Sequence, residues 1–337
     1  MNGNKPESLP PPPGVIGSLR AGFDAVSSHV TLILLPLALD VFLWLAPRLS
    51  VGTLYRSLIP NWLELNNRLG LPALDAQTLA ERIDQLGRVN FLNWIRTLPI
   101  GIPSLLSGFM PDSLPVQTPL GAQGVIQVSS SLTLLGWMFA LTLVGWIGGG
   151  LYFRWVSGTT LSDGVEAGVS LFRAVAQTLF LSVIWTVGML VILLPVALIV
   201  TVLALLSPAL ANAAVLLLLV FSFWLVVPLF FMPHGIFVQQ QNALQSILQS
   251  LKMARFTLPT SSMFVFAVFV LSTGLNYLWS VPSSDSWMLL VGIAGHAFIT
   301  TTLLSASFVY YHDMNAWLRL VFDQFQQQKK GVPTQQA

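Results

Sequence analysis

Six stretches of this chain, 30–47, 132–154, 178–206, 211–237, 262–280 and 287–310, are almost continuously apolar. About 20 apolar residues in a helix cover the roughly 30 Å of hydrocarbon in a bilayer. None of the stretches alternates between apolar and polar, and all are longer than barrel strands, so helices are predicted as the spanning element. Pro36, Pro195 and Pro228 fall inside these stretches and are expected to kink helices rather than end them.

Between them lie shorter segments with apolar residues three and four apart, the spacing of a helix lying on a surface. "VIGSLRAGFDAV" aligns Ile16, Leu19, Phe23 and Val26. "SDGVEAGVSLFRAV" aligns Val165, Val169 and Phe172, with Asp163 and Glu166 spaced as a capping box. "NALQSILQSLKMARF" sets Leu244, Ile247, Leu248 and Leu251 against Gln245, Gln249 and Lys252. The unit of interfacial helix, span out and span back thus occurs three times, and the C-terminal "MNAWLRLVFDQF" reads as a further interfacial helix. The expected fold is an all-α polytopic membrane bundle. It has six transmembrane helices in three hairpins, each preceded by a cytoplasmic amphipathic helix.

The first hairpin carries an insertion, 48–129. Within it "LDAQTLAERIDQLG" aligns Ala76, Leu79, Ile83 and Leu86 as an amphipathic helix. "FLNWIRTLPIGIPSLLSGFM", residues 91–110, is apolar but contains Arg96, Pro99 and Pro103, and reads as interfacial or re-entrant rather than as a seventh span. The expected organisation is a disordered Pro-rich segment 1–14 and a membrane domain 15–312 with an extracytoplasmic insertion. A cytoplasmic helix and polar tail, 313–337, follow.

Composition supports a bilayer as the solvent. Only 8% of the 337 residues are charged and 54% are hydrophobic, against about 25% charged in soluble domains. Cysteine is absent, which excludes disulfides and thiolate chemistry. The net charge of +2, with no dense basic patch, argues against a nucleic-acid partner. No secretory signal pattern precedes the first apolar stretch.

Arg20, Arg154, Arg173, Lys252, Arg255, Arg319, Lys329 and Lys330 all fall on one side of the six spans, which is then cytoplasmic, with both termini there. The insertion holds six basic and five acidic residues, but loops of that length cross regardless of charge. Trp44, Trp279 and Trp287 fall near the outer interface, and Trp155 and Trp317 near the inner one, as in an aromatic belt. The expected location is a bacterial-type cell membrane, with the lipid bilayer as partner.

The hairpin layout, with "FFMPHGIFVQQQNALQSILQSLKMARF" and "SFVYYHDMNAWL" in the third unit, resembles uncharacterised six-span bacterial membrane proteins of the YciC type. It is also similar to the membrane domain that precedes some glycerophosphodiester phosphodiesterases. The resemblance covers the layout of spans two to six, and the outer insertion departs from it. It implies a membrane role and no catalytic residue.

Asp40 is the leading candidate for chemistry. A carboxylate near mid-bilayer costs roughly 2.5–3.5 kcal/mol on insertion scales. His296, Asn276 and Thr142 are its candidate partners. Three readings stand. Asp40 and His296 form a proton-carrying pair, or Asp40 makes a packing hydrogen bond between helices, or it reaches outward toward Arg48. His234, His312 and Asp313 sit at cytoplasmic span ends, as interfacial anchors or as proton or metal groups. Gly145 and Gly149 have the spacing of close helix packing, or of a hinge or pore lining. No metal-ligand, Walker or nucleophile motif is present, so no cofactor or metal is expected. Three function classes follow: a non-catalytic membrane component, which the sparse polar content favours; a transporter of a small or lipid-like solute coupled through Asp40 and His296; and, least favoured, a membrane enzyme.

Overall fold

A computed structural model of the chain describes residues 11–68, 76–112, 114–161 and 169–330. The expected capping-box pair Asp163 and Glu166, with Val165, lies outside the described residues, as do parts of both tails. Among the described residues the protein is all-α apart from two short strand pairs. Among the described residues, four helices are long and apolar enough to cross a membrane: α5 (Ser131–Thr160), α6 (Leu171–Leu206), α9 (Ala243–Trp279) and α10 (Leu289–Lys330). Two bent pairs raise the number to six if each is one span. These are α1 (Val15–Ser28) with Val30–Leu45, turned by 96°, and Pro208–Ser222 with Leu225–Val238 in α7 (Pro208–Phe231) and α8 (His234–Val238), turned by 49°. These helices make the chain a membrane protein.

The chain forms two compact units, each built from segments distant in sequence. One unit contains Val30–Tyr152 and Thr273–Thr300. Its first apolar stretch is a 3₁₀ turn (Val30–Ile33) running into α2 (Leu34–Leu45). Together they extend roughly 26 Å, slightly less than the hydrocarbon thickness. The helix stops where Ala46 precedes Pro47 and turns extended (ψ 160°), the conformation that a following proline imposes. Its last carbonyls are not left bare: the Gln123 amide donates to the carbonyls of Leu43, Trp44 and Ala46.

After α2, strand β1 (Arg48–Ser50) pairs in parallel with β4 (Val125–Gln127), which ties the two ends of the insertion together. Between them lie α3 (Gly52–Arg68), packed against α4 (Ala76–Arg88), and the hairpin β2 (Gln117–Thr118) and β3 (Gly121–Ala122). Ile83 of α4 is buried, and Arg56 and Arg88 both reach Asp84. The Arg48 guanidinium donates to the carbonyl of Arg88 at 2.7 Å. Burial lowers its pKa to about 10, so it remains charged near neutrality.

The other unit contains Met1–His29, Phe153–Ser272 and Thr301–Ala337. Here α1 buries Ser18, Gly22 and, from the expected apolar stripe, Val26, while Ile16 and Phe23 of that stripe are exposed. Gly22 is required by close approach: a Cβ there would lie 2.6 Å from the Thr302 carbonyl oxygen of α10. Helix α9 likewise buries small residues beside exposed members of its stripe. Ser246, Ser250 and Met253 are buried, and Leu244, Leu248 and Leu251 are exposed. The expected surface helix and the following span form one helix kinked at Thr257, two residues before Pro259.

Candidate functional site

Asp40 lies on the buried face of α2 with Leu39 and Leu43. Its side chain is fully buried. Both oxygens accept hydrogen bonds from one short stretch of the insertion. Ser104 Oγ donates to Oδ1 at 2.5 Å, the Leu105 amide to Oδ2 at 2.9 Å, and the Leu106 amide to Oδ1 at 3.2 Å. These amides open the 3₁₀ turn Leu106–Gly108. Asp40 therefore supplies from a distant helix the acceptor that a capping side chain usually supplies locally. Hydrogen bonds to a charged acceptor contribute roughly 1.5–3 kcal/mol each. Three of them suffice to offset the roughly 2.5–3.5 kcal/mol that insertion scales assign to an acid near mid-bilayer.

The network continues. Ser104 Oγ also accepts from the Ser107 amide, and Ser107 Oγ accepts from the Arg96 guanidinium at 2.8 Å. Asn93 donates to the carbonyls of Leu106 and Ser107. The segment 91–110 is thus a strap: a 3₁₀ turn at Phe91–Ile95, an irregular middle, and the capped turn at its end. It contains no α-helix. Its start is fixed by Asn90, whose side chain accepts from the Leu92 amide and from the Leu49 amide of β1.

The middle of the strap rests on α5. A Cβ on Gly149 would meet Gly101 Cα at 2.7 Å, and one on Gly145 would collide with the Ile95 carbonyl oxygen and with Thr97. The two glycines expected to pack helices instead accommodate the strap backbone. Thr142, a turn earlier on α5, accepts from Trp94 Nε1 at 2.9 Å.

The expected partners of Asp40 are thereby distributed differently. His296 Nδ1 is 2.7 Å from Asn276 Oδ1, and its Nε2 has no hydrogen-bond partner. Asp40 and His296 are not hydrogen-bonded to each other, Thr142 belongs to Trp94, and Arg48 belongs to Arg88. His234, expected near an interface, is buried among Phe230, Phe231, Phe308 and Tyr311, with Nε2 at 2.7 Å from Ser307 Oγ. His312 and Asp313 form a half-exposed pair at 3.0 Å. Among the described residues no three His, Cys, Asp or Glu side chains gather as metal ligands.

Ser104 and Ser107 were not among the residues expected to matter. Their signal was available: two serines three apart after a proline, in an otherwise apolar run, is the pattern of a side chain bonding to a nearby backbone amide.

No protein-family model, curated protein or solved structure matches this chain.

Proposed function

We propose that the protein is a non-catalytic, multi-pass component of a bacterial-type cell membrane, with six crossings in three hairpins and both termini cytoplasmic. The bilayer is its constant partner, and α1 and the part of α9 before the kink at Thr257 lie along the cytoplasmic surface, with Ile16 and Phe23 of α1 and Leu244, Leu248 and Leu251 of α9 toward lipid. The layout resemblance to YciC-type proteins belongs to this reading. The observation that carries it is the bonding of Asp40. All three hydrogen bonds at this carboxylate come from residues 104–106, so a group well placed for coupling serves as an anchor.

The second reading is a transporter coupled through Asp40 and His296. It draws support from the cleft beside Asn276 described below. A hydrophobic carbodiimide separates the two, because it modifies carboxyl groups that exchange protons within membranes. The anchor reading expects Asp40 to stay unmodified in vesicles until the strap is released by detergent. Rapid, pH-dependent modification of Asp40 in the intact protein would put the transporter first.

A further inference from the structure

Between the end of the strap and residues 273–289 lies a cleft of about 430 Å³, within the roughly 300–1,000 Å³ of small-molecule sites. Leu105, Phe109 and Met110 form one wall, and Thr273, Asn276 and Tyr277 the other. No charged side chain lines it. The polar wall is oriented by a hydrogen bond. An amide oxygen only accepts, so His296 Nδ1 donates to Asn276 Oδ1. The two N–H groups of the Asn276 amide are then left to face an acceptor. A ligand suited to this cleft is uncharged where it is held, has a carbonyl or similar acceptor, and continues as an apolar chain.

The cleft also borders Ser280, Pro282 and Ser284 in the short connection after α9. Trp44 and Trp287 pack there edge to face, centroids 5.7 Å apart, and Trp44 Nε1 donates to the Ser284 carbonyl. Tryptophans concentrate at the level of the membrane–water interface, where the ester groups of lipids also lie. We propose that the cleft binds a membrane glycerolipid, with Asn276 donating to an ester carbonyl and one acyl chain lying along Leu105, Phe109 and Met110. This rests on the membrane-crossing reading. It adds a specific lipid site, whose strap wall is held in place by Asp40.

The test uses the full chain in phosphatidylethanolamine–phosphatidylglycerol vesicles containing a trace of phosphatidylcholine with a photoreactive acyl chain. Labelled positions are mapped by mass spectrometry, and α6, apolar and exposed along residues 190–206, serves as the reference for ordinary lipid contact. Residues 105–110 and 273–280 are expected to take up about fivefold more label per residue than α6. Asn276→Leu is expected to lower cleft labelling about fivefold, the effect of losing roughly one hydrogen bond, while α6 labelling holds. Ser280→Trp, at the exposed mouth, is expected to do the same by filling space. Cleft labelling equal to that of α6 in the unaltered protein overturns the site, whatever the variants do. Absence of label from α6 itself overturns the membrane-crossing reading, and the site with it.

Discussion

The hairpin of α6 and α7 and the strap 91–110 are both apolar, yet they are held by different means. Residues 187–225 of the hairpin carry no charge, and their large side chains are mostly exposed. The two helices pack on each other, and their backbone groups are satisfied internally. Nothing but a bilayer-like solvent is needed to keep such an element in place. The strap has little regular hydrogen bonding of its own. It is fixed by a carboxylate, two glycines, two asparagines and a serine pair, each meeting a specific backbone group. Apolar character alone does not distinguish the two, while the sparse polar and small residues decide what the strap touches.

Substitutions on the two elements should therefore differ sharply. Gly149→Val is expected to be the most damaging, at about 3 kcal/mol, because the added carbons meet the backbone of residues 100–101 rather than a movable side chain. Unfolding of the purified protein by a denaturing detergent measures it. Equal tolerance at Gly149 and at Gly188 of α6, where a Cβ meets nothing within 4 Å, would break the comparison.

Asp40→Ala is expected to cost about 2–3 kcal/mol, since one hydroxyl and two amides lose their acceptor. It should also open residues 96–110 to limited proteolysis, and retention of wild-type protection would remove Asp40 from the anchoring role. Asn276→Ala, which deletes the partner of His296, should cost about 1 kcal/mol and leave the strap protected. The smallest effect is expected for Gly188→Ala, within about 0.5 kcal/mol.

These contrasts also show why some features were legible in advance. The apolar stretches carry their own message: length and hydropathy suffice to read a membrane protein from them, because the bilayer responds to summed transfer free energy and not to neighbours. That Asp40 is a packing group was among the readings open from sequence, and so was a close-contact role for Gly145 and Gly149. The partners were not legible. Asp40 meets residues more than 60 positions later, on a segment without helical periodicity, so no spacing rule connects them. His296 was the leading candidate partner, with Asn276 and Thr142 as further ones, and depth is all that counting along a helix provides. The buried faces of α1 and α9 were also obscure in advance. Small residues such as Gly22, Ser246 and Ser250 supply much of the packing there, so part of the apolar stripe is left facing out.

By itself the sequence determined that this is a helical membrane protein, because burying long uncharged runs in lipid outweighs any alternative for them. Only the tertiary structure decided that the one acid in the first apolar stretch caps a distant turn, that the glycines of α5 carry a strap, and that His296 pairs with Asn276. Those choices rest on hydrogen-bond direction and on contacts at 3 Å, which depend on where the chain returns and not on what any local stretch prefers.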